Sequence, residues 1–410
     1  MSVFLLKNCN VLDTDSGEIQ PDRYVLVEDG VIREVTDQML RPGSATTIDV
    51  HGKMLMPGLI DAHIHATVTT LKLSAVLNRP VSLVAQEARK ILEAMLRRGF
   101  TTVRDAGGAD WGLAEAVRRG LIQGPRMFIS GKVLSQTGGH GDFRPRTDAP
   151  MCACAIHSNN FSHVADGVAA VRKAAREELR RGANQIKIMA AGGVASPSDP
   201  IDNVQYSAEE MRAIVEEAES WKTYAMAHAY SPESIMRAID AGVRTIEHAN
   251  LIDAKTAKHV ASNNAFVVPT LVTYHMMQQH GGELGLPKSA QEKVQHVLDA
   301  GLASLEICKK AGVSIGFGTD LLGETHKYQN EEFTIRAEAL SAIDILRSAT
   351  VTNAEILGQS GKLGCVSTGA IADLLVVNGN PLDDLSVLAN QGRKIELVMK
   401  EGEIVLNSLS

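Results

Sequence analysis

Four times along this 410-residue chain a helical pattern closes on a glycine and passes at once into a short apolar strand. These are Gly99 before Thr101 to Asp105, Gly182 before Gln185 to Met189, Gly242 before Thr245 to His248, and Gly312 before Ser314 to Asp320. A glycine after a helix is a left-handed stop signal, because a residue without Cβ takes positive φ at little cost. Helices alternating with apolar strands are the rhythm of βα units on a parallel sheet. The four strands carry Asp105, Lys187, His248 and Asp320 at or near their ends, which in a (β/α)8 barrel is the active-site face. Such a barrel takes about 250 residues, so the length leaves room for one smaller domain.

The ends of the sequence read differently. Short strands are expected over Phe4 to Val11, Tyr24 to Val27 and Val31 to Val35, the last two joined by Glu28-Asp29-Gly30, a hairpin signal. Asp373 to Val377, Ile395 to Met399 and Glu403 to Leu406 repeat that character, with Lys400-Glu401-Gly402 as the turn. The longest irregular stretch, Lys132 to Ala165, far exceeds an ordinary connection and is expected to be a lid or substrate loop, with Gly192 to Tyr206 as a second candidate.

With 44% hydrophobic and 22% charged residues the chain is of the folded globular class. A formal charge of −7 excludes a basic excess for phosphates, and the densest basic stretch, Arg172 to Arg181, is interrupted by Glu177 and Glu178. Nucleic acid is not an expected partner. The N-terminal apolar run Val3 to Leu6 is far too short for a leader, and no stretch approaches the roughly 20 apolar residues of a membrane span. Cys9, Cys152, Cys154, Cys308 and Cys365 form no disulfide framework. A cytoplasmic protein without membrane contact is expected.

The chemistry starts at Pro57-Gly58-Leu59-Ile60-Asp61-Ala62-His63-Ile64-His65, an apolar strand ending in two histidines one residue apart. Period-2 alternation puts both on one face, where two imidazoles can share a metal. In Ile186-Lys187-Ile188-Met189 the lysine points opposite to its isoleucine neighbours, and an inward ammonium is costly. It either snorkels at the strand end or reacts as a neutral amine with carbon dioxide to give a carbamate able to bridge two cations. His228, His248 and Asp320 each end a further expected strand. Of the other histidines, His140 has the placement that invites a role. Cys152-Ala153-Cys154 with His157 and His163 lacks structural-zinc spacing and reads as ordinary loop. Arg144 and Arg146 read as solvated loop charges, and Arg104 as the structural partner of a nearby acid.

With these ligand-competent residues in order, the sequence resembles the amidohydrolase superfamily, in its binuclear metal branch with a carboxylated lysine. The resemblance implies an α/β fold, a distorted (β/α)8 TIM barrel over residues 58–365 with a small β-sandwich domain built from 1–57 and 366–410. It implies two divalent metal ions per subunit, with zinc expected. His63, His65 and Asp320 would hold the more buried ion, His228 and His248 the more exposed one, and carboxylated Lys187 would bridge them. Thr101-Thr102-Val103-Arg104-Asp105-Ala106-Gly107-Gly108, Ser135-Gln136-Thr137-Gly138-Gly139-His140 and Gly192-Gly193-Val194-Ala195-Ser196-Pro197 resemble the Xaa-Pro dipeptidase (prolidase) and related metallocarboxypeptidase group. In that group the residue matching His140 assists at the scissile carbonyl and the one matching Tyr230 contacts substrate.

The resemblance implies amide hydrolysis by hydroxide generated between the two cations, with Asp320 as proton shuttle and no serine or cysteine nucleophile. A small peptide or amide is the expected substrate, and a homo-oligomer the expected assembly. Competing readings are a carboxypeptidase releasing C-terminal Arg or Lys, a hydrolase of N-acyl phenylalanine amides such as ochratoxin A, a mononuclear deaminase, which would not need Lys187, and a catalytically dead scaffold, which would be expected to have lost ligands.

Overall fold

The four helix-closing glycines all adopt left-handed backbone, with φ of 95° at Gly99, 96° at Gly182, 92° at Gly242 and 77° at Gly312. The computed structural model describes residues 3–72, 75, 79–144, 161–194, 199–286 and 288–409. Arg146, Cys152, Cys154, His157 and the segment Ala195 to Pro197 lie outside the described residues. The strands at the start are β1 (Val3–Leu12), β2 (Ile19–Glu28), β3 (Val31–Thr36), β4 (Thr46–Asp49) and β5 (Met54–Pro57). Through the centre run β6 (Leu59–Ile64), β7 (Phe100–Asp105), β8 (Arg126–Ile129), β9 (Val133–Ser135), β10 (Ser162–Val164), β11 (Ile186–Met189), β12 (Ala225–Ala229), β13 (Thr245–His248), β14 (Phe266–Val268) and β15 (Ser314–Ile315). Then come β16 (Leu374–Val377), β17 (Ile395–Lys400) and β18 (Glu403–Asn407).

Strands from both ends of the sequence join one sheet in the order β18-β17-β16-β5-β1-β2-β3, with β4 pairing β1. Strands β4 and β5 were not expected from the pattern. The seam is the antiparallel pair β5 and β16. Both expected hairpins form, with Asp29 and Gly30 at φ 48° and 79° and Glu401 and Gly402 at 52° and 76°, the double positive φ of a type I′ turn. The two turns abut so closely that a Cβ on Gly30 would come 2.7 Å from the Glu401 carbonyl.

The central strands are parallel and form two arcs, β6-β7-β8 and β10-β9-β11-β12-β13-β14-β15. The arcs meet on both sides through backbone bonds, Ala62 N–H to Phe317 O at 2.8 Å and Asn184 N–H to Ile129 O at 2.7 Å. Helices between the strands turn an apolar stripe inward; Val81–Arg97 buries Val84, Ala88, Leu92, Met95 and Leu96, at helical spacing. Four of the helices are capped at the start by side chains, Asp110, Ser207 with a reciprocal Glu210, Ser231 ahead of Pro232, and Asp253.

Three expectations need correction. The strand expected over Ser314 to Asp320 ends at Ile315. Beyond it Thr319 and Asp320 turn their N–H groups onto the His63 carbonyl, Asp320 at φ 51°, so the segment crosses toward β6 instead of continuing the ladder. The irregular stretch Lys132 to Ala165 contains β9 and β10, paired in register from Val133 and Ser162 to Ser135 and Val164, which lengthen the larger arc. Arg144 is not a solvated charge: its Nε donates to Asp142 at 2.6 Å and its side chain is largely buried. Among the described residues no helix is long and apolar enough to cross a membrane.

Candidate active site

His63, His65, His140, Lys187, His228, Tyr230, His248 and Asp320 all line one cavity at the ends of the parallel strands. The sequence thus brings together residues from β6, β11, β12, β13 and four connecting segments. Some backbone strain falls at the site. His248 (φ 74°), Ala249 (57°) and Asp320 (51°) are left-handed non-glycine residues, each costing on the order of 1–3 kcal/mol that the surrounding fold must offset.

Asp320 Oδ1 lies 3.4 Å from His63 Nε2 and 3.2 Å from His65 Nε2. On the far side, His63 Nδ1 donates to Glu247 at 2.7 Å and His65 Nδ1 to the Gly107 carbonyl at 2.9 Å. An acceptor outside fixes the N–H outward, so each neutral imidazole turns a lone pair on Nε2 toward the carboxylate. His63 Nε2 is buried with no hydrogen-bond partner. Three lone pairs converging in a buried corner fit a divalent cation, and the ligand atoms of His63, His65 and Asp320 all lie within 4.8 Å of one another. Burial opposes charge on Asp320, but the imidazoles of His63, His65 and His248 hold it well below the usual carboxylate range. Burial also opposes a charge on His65, yet Asp320 beside it moves its pKa above the ordinary value.

The second group is looser. His228 Nε2 donates to the Gly192 carbonyl at 3.0 Å, leaving Nδ1 as the lone-pair nitrogen, and His248 Nδ1 lies 2.8 Å from Thr270 Oγ1. Their rings are 4.7 Å apart, and the ring of His63 is 4.9 Å from that of His248. Burial above all, then neighbouring imidazoles and Lys187, pushes His228 well below its ordinary pKa. Burial does the same to His248. Lys187 is buried and, among the described residues, makes no ion pair; burial lowers its pKa to about 8 although Glu247 and Asp320 pull the other way.

His140 stacks on His228 with centroids 4.4 Å apart. It rests on Gly193, where any Cβ would come 2.1 Å from its ring, which is why a glycine is required there. Asp199 Oδ2 stands 3.5 Å from its Nδ1. Tyr230 is wedged between His228 and His248, with its hydroxyl 2.8 Å from that of Tyr274.

A model of the amidohydrolase family matches residues 54–405. The chain belongs to the amidohydrolase family. Ochratoxinase from Aspergillus niger is 32% identical over 375 residues, covering 86% of this chain and 75% of that protein. Among solved structures, one described as an amidohydrolase is 51% identical with a TM-score of 0.98 over all of both chains. A prolidase complexed with N-methylphosphonate-L-proline is 51% identical with a TM-score of 0.97, covering 99% of this chain and all of that one. The fold is accordingly TIM-barrel-like, and this amidohydrolase is a hydrolase acting on C–N bonds. The family binds divalent metals, as the His63, His65 and Asp320 corner leads one to expect.

Sequence reasoning missed most of what orients this amidohydrolase's site. Glu247 backs His63 and receives Arg104, whose Nη2 lies 2.9 Å and 3.0 Å from the two carboxylate oxygens, all fully buried. Burial opposes its charge, but Arg104 and His63 hold Glu247 well below the ordinary range. Arg104 was expected to be the structural partner of a nearby acid, and Glu247 is that acid; Glu247 itself could have been found as an opposite charge inside an apolar strand, since such charges must pair. Thr270, Tyr274 and Asp199 gave no sequence signal of their own. His163 sits in β10 with Nδ1 3.9 Å from Glu178.

Proposed function

We propose that this amidohydrolase is a binuclear metal-dependent dipeptidase of the Xaa-Pro type. The observation that carries the reading is the apolar part of the cavity lining: Val68, Phe143, Phe161, Val194, Met277 and Leu322. Among the described lining residues the one acidic side chain is Asp320. A wall of this kind suits a compact apolar leaving residue such as proline and offers nothing to a leaving Arg or Lys. Similarity to a prolidase at 51% identity supports the same choice, while similarity to ochratoxinase keeps an N-acyl phenylalanine as the second reading.

In this reading His63, His65 and Asp320 hold one cation, His228 and His248 the other. Lys187, whose neutral Nζ would add to carbon dioxide and lose a proton to give a carbamate, would supply the anionic ligand between the two groups. A cation pair held there, zinc by our proposal, supplies Lewis acidity and lowers the pKa of water toward neutrality. Asp320, kept ionised by the imidazoles around it, accepts the proton of the attacking water and delivers it to the leaving nitrogen. His140 donates to the oxygen on which negative charge develops, and Tyr230 meets a second substrate oxygen. The two strand arcs read as a distorted (β/α)8 barrel over 58–365, flanked by a domain of 1–57 and 366–410, and a cytoplasmic homo-oligomer is the proposed form.

The test is a panel of Xaa-Pro, Xaa-Arg and Xaa-Lys dipeptides and N-acyl phenylalanines, assayed with zinc-loaded protein. Hydrolysis led by Xaa-Pro is expected. Preference for another class would overturn the prolidase reading, and inertness toward every amide would favour a scaffold. Lys187→Ala is expected to lose metal, by elemental analysis, together with nearly all activity. A variant keeping both ions would sink the carbamate.

A further inference from the structure

His140 sits in Gly138-Gly139-His140-Gly141, a run whose glycines place little conformational limit on it. What fixes such a residue must come largely from outside the run. Ser135 Oγ accepts from Gly141 N–H at 3.0 Å, but the N–H of His140 itself goes to Gln205 Oε1 at 2.8 Å, 65 residues onward. The other end of that amide, Gln205 Nε2, donates to Asp199 Oδ2 at 3.0 Å. The same carboxylate oxygen accepts from Gly193 N–H at 3.1 Å and lies 3.5 Å from His140 Nδ1. Asp199 and Gln205 are buried, so water does not compete for these bonds.

One cation closes the arrangement. Lys293, on the helix Lys288–Ala311, donates from Nζ to the Gly193 carbonyl at 3.0 Å and to the Asp199 carbonyl at 2.6 Å. That helix buries Ala290, Val294 and Val297, so the ammonium is delivered from a packed, rigid element. A lysine on two carbonyls could serve only to staple a loop. Here the carbonyls belong to the two residues that hold His140: Gly193 is the floor under its ring, and Asp199 carries the Gln205 tether to its backbone. His140 Nδ1 makes no hydrogen bond among the described residues. Its position is therefore imposed by floor and tether, while the Asp199 carboxylate acts on the ring by charge. Lys293 is not among the described residues lining the cavity, so its influence on substrate runs through His140.

We propose that Lys293 is a positioning residue for His140. It fixes the Gly193 floor and, through Asp199 and Gln205, the His140 backbone, so that Nε2, the ring nitrogen remote from Asp199, stays where negative charge develops on the substrate. The proposal rests on the substrate-side role given to His140 above and deepens it by naming what orders that residue.

The test uses the full chain. Lys293 is only half-buried, so Lys293→Met, which keeps most of the stem, and Lys293→Arg, which keeps the donors, leave the core intact. In the metal-loaded protein Lys293→Met is expected to lower kcat about tenfold, the worth of one hydrogen bond from a charged donor, on whichever member of the substrate panel wild type cleaves best. Affinity for a phosphonate analogue of a dipeptide, by calorimetry, should fall similarly, with metal content unchanged. Lys293→Arg should recover most of the loss. In a His140→Asn background Lys293→Met should change neither readout. In metal-free protein, amide hydrogen exchange over residues 135–141 should quicken about tenfold in Lys293→Met. Unchanged exchange there, or an equal loss of kcat with and without the His140 imidazole, overturns the proposal. Wild-type rates from His140→Asn would overturn both the proposal and the role of His140. Best cleavage of Xaa-Arg or an N-acyl phenylalanine would overturn the Xaa-Pro reading alone, since the cycle runs equally on that substrate.

Discussion

His63 and His228 line the same cavity, yet His63 is backed by the Glu247 carboxylate and through it by the Arg104 guanidinium, whereas His228 is backed by the single carbonyl of Gly192. Asp320 adds an anion to the first group, while the second group's partners, Gly192 O and Thr270, are neutral dipoles. An anionic partner makes an imidazole a stronger ligand and locks its tautomer before any ion arrives; a neutral one does so more weakly. One half of the site is therefore organised by charge already in the fold. The other half needs charge brought to it, and the buried Lys187 amine, without an ion pair among the described residues, is where a carbamate would supply it.

The comparison can be broken most severely at Asp320. Asp320→Asn keeps an oxygen beside His63 and His65 but removes the proton acceptor, so kcat should fall by about 10²–10⁴ at every pH. Its metal content should fall less than in a His63 variant. Steady-state rates with elemental analysis check both, and near wild-type activity would move the base elsewhere.

A smaller loss is expected at the backing acid. Glu247→Gln should weaken metal binding by about 10–100-fold, measured by chelator competition. It also leaves Arg104 buried without its counter-charge, so the metal-free protein should lose about 3–5 kcal/mol in denaturant unfolding. Wild-type protein loaded with the two ions proposed above should release them to a chelator in two phases, the first from the His228 and His248 side. Glu247→Gln should merge the phases; a single phase in wild type would erase the asymmetry.

The smallest effect concerns His326, buried near the first half. Burial and the Arg98 guanidinium lower its pKa to about 3. Between pH 6.5 and 3 the unfolded chain takes up this proton and the folded one does not. Stability should therefore fall as pH falls through that window, by at most about 1.4 kcal/mol per unit. His326→Leu should flatten the dependence of Tm on pH in metal-free protein, and an unchanged slope would refute the assignment.

What could be read from the sequence follows from how local the signals are. Gly99, Gly182, Gly242 and Gly312 each obey a rule satisfied within one turn of chain, and each adopts the backbone it announces. The strand-end histidines and Lys187 were legible because alternation in a strand fixes which way a side chain faces. Asp320 was found although its strand stops at Ile315, since the polar residue marked the place where an apolar run gives out. Thr270, Tyr274 and Glu332 were not legible. A threonine before a helix reads as a cap, but Thr270 makes no capping bond; the Glu332 carboxylate takes the N–H groups of Leu271 and Val272 instead, and the threonine serves His248. Long-range substitution of one partner for another leaves no local mark.

The seam between β5 and β16 sets the order in which the molecule can be made. On a growing chain β1, β2 and β3 can pair early, but β5 keeps an open edge until β16 arrives, after every strand of the two arcs has been synthesised. Closing a span of that length costs about 5 kcal/mol of chain entropy, and non-local pairing of this kind is slow. In the interval the apolar edge Met54-Leu55-Met56 is an adhesive surface, open to another copy of the same unfinished chain. Yield on expression should therefore respond to translation speed and to chaperones that shield that edge, while the completed enzyme, its edge covered, would be indifferent to both.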